Sequence, residues 1–259
     1  MIHSTEGSAP LIISFPHVGT VIPADIAAGM TVRARAVEDT DWHVEKLYEF
    51  ARARQVSWLE PTLSRYVVDL NRPPDDAALY PGQVSTGLCP AATFDGEALY
   101  AVAPPDVHEV NRRRELYWQP YHTRLRQLLD AAIARHGYAV LLDAHSIASE
   151  VPRLFDGRLP DLNVGTNDGR SCGSSLGESV YAAACSGPFT AVLNGRFKGG
   201  FITRHYGQSA GPVHAVQLEI GQSTYLESDS VEWSDARAAP LVGVLASIVE
   251  VLLSWRPEL

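Results

Sequence analysis

Cysteine is scarce in this chain. The three present, Cys89, Cys172 and Cys185, stand far apart and in no metal-binding or redox spacing. That excludes a disulfide scaffold and leaves buried thiols as the expectation. Basic residues are in deficit too: 21 Lys and Arg against 30 Asp and Glu give a net charge of -9 at pH 7. A nonspecific nucleic-acid binder needs a basic face, so nucleic acid is not an expected partner. No apolar run reads as long enough to span a bilayer, and the opening MIHSTEGSAPLIISF has neither a basic leader nor a cleavage site before its short apolar run. These absences predict a cytoplasmic protein with no membrane partner. A P-loop, a G-x-G-x-x-G fingerprint, internal repeats and low-complexity linkers are also missing, which disfavours a phosphate ligand and a multidomain array.

What remains is a globular composition. Hydrophobic residues make up 46% of 259 positions, enough to bury a substantial core. Short apolar runs at 11–14 (LIIS), 66–70 (YVVDL), 138–142 (YAVLL), 190–194 (TAVLN) and 213–220 (VHAVQLEI) predict strands, with 56–60 (VSWLE) a weaker one. Helical spacing is expected over 39–54, over 106–136 closing at Gly137, over CGSSLGESVYAAAC, and over 234–255, where Pro240 would kink the helix or delay its start. The alternation predicts an α/β fold with a sheet covered on both faces. The spans 71–96 and 155–173 are long for connections and are expected to wall a site.

Three strand ends carry similar chemistry. One run ends at His17, the run AVLLDAHSIAS ends at Asp143 and His145, and Glu219 sits inside an apolar run. In open α/β sheets ligands gather at the carboxyl ends of strands. Hydrolytic zinc takes three protein ligands from His and Asp/Glu beside a separate carboxylate base, and the chain can supply that set. Taken singly, each histidine has the plainer reading of a hydrogen-bonded loop residue. Glu219 adds weight because an acid inside AVQLEI pays for desolvation unless it is paired or functional. His3, His108, His122 and His136 are assigned to surface or packing. The motif GQSAG at 207–211 mimics a serine nucleophile elbow, but Pro212 and a strand follow Ser209 where a helix is required, so it is a turn between strands. Arg65 and Arg72, and Arg196, Lys198 and Arg204 among glycines, predict a clamp for a carboxylate. The arginines of NRRREL predict a solvated helix face, with room for one to turn inward.

The motifs SFPHVGTVIP, DTDWHVEKLYEFA, SRYVVDLNRPPDD, LYPGQVSTGLCP, DAHSI, LPDLNVGTNDGRSC, NGRFKGGFITRHYG and VHAVQLEI, in this order, resemble those of the N-formylglutamate amidohydrolases, including the deformylases of histidine breakdown. The resemblance runs from about Pro10 to Trp255 and implies hydrolysis of N-formyl-L-glutamate, a small dicarboxylate, to formate and L-glutamate. It also implies a single amidohydrolase domain over 1–259, with a mixed, mostly parallel sheet flanked by helices, of the phosphorylase/hydrolase-like and zinc-carboxypeptidase-like type. By that likeness His17 and His145 hold one divalent ion, zinc by preference, Glu219 is the general base, and Asn71 and Arg72 bind a substrate carboxylate. Carboxypeptidases place an acidic ligand three residues after the first histidine, where this chain has Thr20. The third ligand is therefore expected from DTDW: Asp41, with Asp39, His43 and Glu45 as alternatives. Asp143 is expected to hold the tautomer of His145. Two other functions fit the same residues: a related zinc amidohydrolase for another N-acyl amino acid, and a metal-free carboxylate-binding module.

Overall fold

Two nine-residue strands, β4 (Ala139–Ile147) and β7 (Val213–Gly221), run parallel down the middle of the molecule with every residue buried. The structure is a computed structural model that describes residues 1–77, 86–228 and 230–257. Around the central pair lie β1 (Ile2–Thr5), β2 (Leu11–Ser14), β3 (Ser57–Pro61), β5 (Leu162–Gly165) and β6 (Ala191–Leu193), in the spatial order β1-β3-β2-β4-β7-β5-β6. Four of the neighbouring pairs are parallel, and two, β1 with β3 and β5 with β7, are antiparallel. The helices are α1 (Ala24–Ala27), α2 (Val44–Leu47), α3 (Val107–Arg113), α4 (Gln119–His136), α5 (Ser174–Ala184), α6 (Phe201–Tyr206) and α7 (Asp235–Ser254). This is the mixed, mostly parallel α/β architecture expected from the sequence.

Strand alternation sorts the side chains into two cores. Val140, Leu142, Ala144, Val216 and Leu218 face the layer of α2, α5 and α7. Ala139, Leu141, Val213 and Ala215 face the layer of α4 and α6. On this second face both strands turn polar toward their carboxyl ends, at Asp143 and His145 on β4 and at Gln217 and Glu219 on β7, with His145 opposite Glu219 in register. The polar groups cluster where the strands run beyond the apolar packing.

Several sequence expectations are corrected. Tyr66–Leu70 is buried but forms turns, not a strand, because side-chain donors from the α3–α4 segment take carbonyls that a sheet would have used: Arg113 Nη1 donates to Val67 O and His122 Nε2 to Leu70 O. The helix expected over 39–54 shrinks to α2 and a 3₁₀ segment at Glu49–Arg54. Its first residues instead form a turn in which His43 has φ 57 and the Asp41 N–H bonds to His17 O. Within 155–173 the chain forms β5, and FITRHY, for which the sequence predicts no element, forms α6. GQSAG is a turn, but between α6 and β7. Cys172 is buried and Cys89 partly so, whereas Cys185 is exposed. α7 starts at Asp235 and continues through Pro240, and by length and composition alone it could cross a membrane. It lies instead on the sheet, with Leu241, Leu245, Ile248 and Leu252 fully buried in the core. Part of the LYPGQVSTGLCP motif, 79–85, lies outside the described residues.

Candidate active site

His17 leaves the carboxyl end of β2, His145 lies near the end of β4, and Asp41 enters from the turn before α2. Their ligand atoms lie within 4.8 Å of one another, and all three residues are buried. His145 Nδ1 is 3.0 Å from Asp41 Oδ2, and His17 Nδ1 is 3.7 Å from the same oxygen. On the far side of each ring stands another carboxylate: His17 Nε2 is 2.7 Å from Asp69 Oδ1, and His145 Nε2 is 3.0 Å from Asp143 Oδ1. By donating Nε2–H to Asp69, His17 turns its Nδ1 lone pair inward, as metal-binding histidines do. Among the described residues His17 Nδ1 and Asp41 Oδ1 are buried without a hydrogen-bond partner. Buried polar atoms normally have one, so an orphaned imidazole nitrogen within a buried set of two imidazoles and a carboxylate fits a metal ion. The buried group can hold a metal.

The charges around it are mutually arranged. Burial pushes the Asp69 carboxyl up, but the charges of His17, Arg65 and Arg72 outweigh this and hold it well below the carboxylate range. Burial acts on Asp41 in the same way, and hydrogen bonds with His145 and His17 hold it low. His145 moves the other way: burial would lower it, and Asp143 and Asp41 raise it well above the ordinary histidine value. Among the described residues Glu219 has no such ion pair, and burial pushes its carboxyl up to about 8. Gln217, two residues before it on the same face, lies with Nε2 3.4 Å from Glu219 Oε2 and accepts from the Gly200 N–H through Oε1 at 2.7 Å.

One cavity brings these groups together. It is lined by His17, His145, Glu219, Arg65, Asn71, Arg72 and Arg196, with Phe94, Ile147, Leu154 and Phe197 as its apolar wall. Arg65 is committed to Asp69, through Nη2 at 2.8 Å, and lies 3.8 Å from Asp41. The Asn71 amide is held at both ends: Oδ1 accepts from Ile202 N at 2.8 Å, and Nδ2 donates to Asp143 Oδ2 at 3.2 Å, 2.9 Å from His145 Nε2. Gly200 makes this possible, since a Cβ there would stand 2.3 Å from Asn71 Nδ2. Arg72 donates to Thr86 O and Thr86 Oγ1, and Arg196 Nε donates to Leu154 O.

The remaining candidates stand apart. Arg204 lies on α6, donates Nε–H to Gly199 O at 2.7 Å, and does not line the cavity; neither does Lys198. Of the alternatives to Asp41, Asp39 accepts from Phe94 N, His43 meets Val231 O, and neither they nor Glu45 joins the His17–Asp41–His145 group. Asp69 escaped sequence analysis although the signal was present: it is an acid inside the apolar run YVVDL, the same anomaly that singled out Glu219. Gln217 and Thr86 carried no comparable signal.

The profile of the family described as N-formylglutamate amidohydrolase matches residues 9–226. An N-formylglutamate deformylase of Pseudomonas putida is 46% identical over 256 residues, 98% of this chain and 96% of that protein. One from Pseudomonas aeruginosa is 48% identical over 257 residues, with the same coverage of 98% and 96%. Among solved structures, N-formylglutamate amidohydrolase from Ralstonia eutropha JMP134 matches with a TM-score of 0.80 and 25% identity, over 97% of this chain and 95% of that one. A protein of Agrobacterium tumefaciens, 16% identical with a TM-score of 0.72 over 97% and 94% of the two chains, shares the fold. With a profile match across most of its length and two such relatives, the chain belongs to the N-formylglutamate amidohydrolase family.

Proposed function

We propose that this chain hydrolyses N-formyl-L-glutamate to formate and L-glutamate. The observation that carries the proposal is one cavity lined by two metal-type histidines, a buried carboxylate with no ion-pair partner among the described residues, and arginines on the wall. The activity named for the two Pseudomonas relatives agrees with it. His17, Asp41 and His145 would hold one divalent ion, and two imidazoles with one carboxylate favour zinc. Such an ion, when bound, supplies Lewis-acid polarisation of the formyl oxygen and a lower pKa for water.

The chain's own groups account for the rest. Glu219 takes the proton of the attacking water and returns it to the amine nitrogen as the C–N bond breaks. Burial raises its carboxyl to about 8 against the lowering charges of His145 and Arg65, close enough to neutrality for one group to serve as base and then as acid. The substrate is a dianion in an acidic protein, so its carboxylates need guanidinium contacts, and Arg72 and Arg196 are the arginines to supply them. Arg65 helps to keep Asp69 charged, and Asn71 Nδ2 bridges Asp143 and His145. Phe94, Ile147, Leu154 and Phe197 exclude water from the reacting centre. Because β1 and α7, from opposite ends of the chain, join one layered structure, residues 1–259 are read as a single amidohydrolase domain.

A substrate panel tests the assignment: formate or acetate release from N-formylglutamate, N-formylaspartate and N-acetylglutamate. The highest kcat/KM is expected on N-formylglutamate, and a preference for either of the others would replace it with the related amidohydrolase reading.

A further inference from the structure

The segment from Val67 to Pro74 carries Asp69, Asn71 and Arg72, yet has no strand or helix to fix its backbone. Four side chains from one helical stretch hold it instead. Arg113 Nη1 donates to Val67 O at 3.2 Å, His122 Nε2 to Leu70 O at 2.9 Å, Trp118 Nε1 to Arg72 O at 2.9 Å, and Arg114 Nη1 to Pro74 O at 3.2 Å. Between α3 and α4 that stretch contains a π-helical turn, Arg114–Trp118. The wider turn brings residues five apart into line, so Trp118 falls above Arg113 where an unbroken α-helix would present Tyr117. One ordinary turn later comes His122, its ring stacked on the indole with centroids 3.8 Å apart.

The His122–Trp118 pair differs from a packing contact because each ring spends its N–H on a backbone carbonyl flanking Asn71. Leu70 O can only accept, so His122 carries its proton on Nε2, and Nδ1 accepts from Tyr206 O–H at 3.0 Å. We propose that Trp118 and His122 are positioning residues for substrate binding: by fixing the carbonyls before and after Asn71 they set the direction from which the Arg72 side chain enters the cavity. The inference rests on the deformylase reading for its kinetic test and on geometry alone for its structural one.

The test uses Trp118→Phe and His122→Phe, which keep a ring and lose the N–H, and His122→Gln, which restores a donor. Loss of one neutral hydrogen bond should raise KM for N-formylglutamate about 5- to 10-fold, with kcat within about 3-fold of the parent. His122→Gln should recover most of the loss. A KM unchanged in both ring variants, with only a lower Tm, would overturn the proposal by reducing the pair to packing. If the parent protein itself releases no formate, the deformylase reading fails separately. Amide hydrogen exchange at 70–72 then decides: faster exchange in the two ring variants, slowed again by His122→Gln, supports the clamp, and equal exchange throughout overturns it.

Discussion

Asp69 Oδ1 accepts a hydrogen bond from His17 Nε2 at 2.7 Å, and this contact turns His17 Nδ1 toward Asp41. The same carboxylate accepts from the Asn71 N–H at 2.9 Å and from Arg65 at 2.8 Å. One buried acid therefore links the His17–Asp41–His145 group to residues that line the cavity. Asp69→Asn keeps the shape but removes the charge that makes the imidazole a strong ligand. Metal affinity, measured by competition with a chromophoric chelator, is expected to fall about 10- to 100-fold. Unchanged affinity would mean that Asp69 serves only to hold Arg65.

Glu219→Gln separates binding from chemistry. The amide keeps size and hydrogen bonding but cannot take a proton from water, so metal content and substrate affinity should persist while kcat falls by about two to four powers of ten. A structural acid would give the reverse pattern, a lower Tm with normal turnover per folded molecule.

The arginines are expected to divide by position. Arg72 lines the cavity and Arg204 does not. Losing a charge-assisted contact to a substrate carboxylate costs about 2 to 5 kcal/mol in kcat/KM, so Arg72→Ala should show a loss of that order and Arg204→Ala a clearly smaller one. Equal losses would extend the substrate contacts to α6.

Burial lowers His122 from 6.5 to about 3. Below pH 6.5 the unfolded chain takes up a proton there that the native protein refuses until about pH 3. The stability present above 6.5 is therefore lost as pH falls through this window. Denaturant midpoints between pH 7 and 4 should fall more steeply for the parent than for His122→Gln, and parallel slopes would contradict the buried neutral imidazole.

Much of the candidate site is legible in the sequence because its residues break the local apolar pattern. His17, Asp143, His145 and Glu219 stand at or near the ends of hydrophobic strands, where desolvation makes a polar side chain conspicuous. Asp41 and its neighbours came from a resemblance and a missing acid at Thr20, and geometry was needed to separate it from Asp39. Tyr66–Leu70 was misread because apolar periodicity reports burial and not which donors satisfy the backbone; here those donors are side chains more than 40 positions away. α6 was hidden by the glycines before it, one of which makes room for Asn71.

The most direct measurement is formate release from N-formylglutamate by the purified protein before chelation, after it, and after re-addition of zinc. Turnover by the untreated protein is expected to be lost with the removed ion and to return when zinc is restored to the parent but not to His145→Ala. Full formate release from protein shown to be metal-free would contradict this expectation.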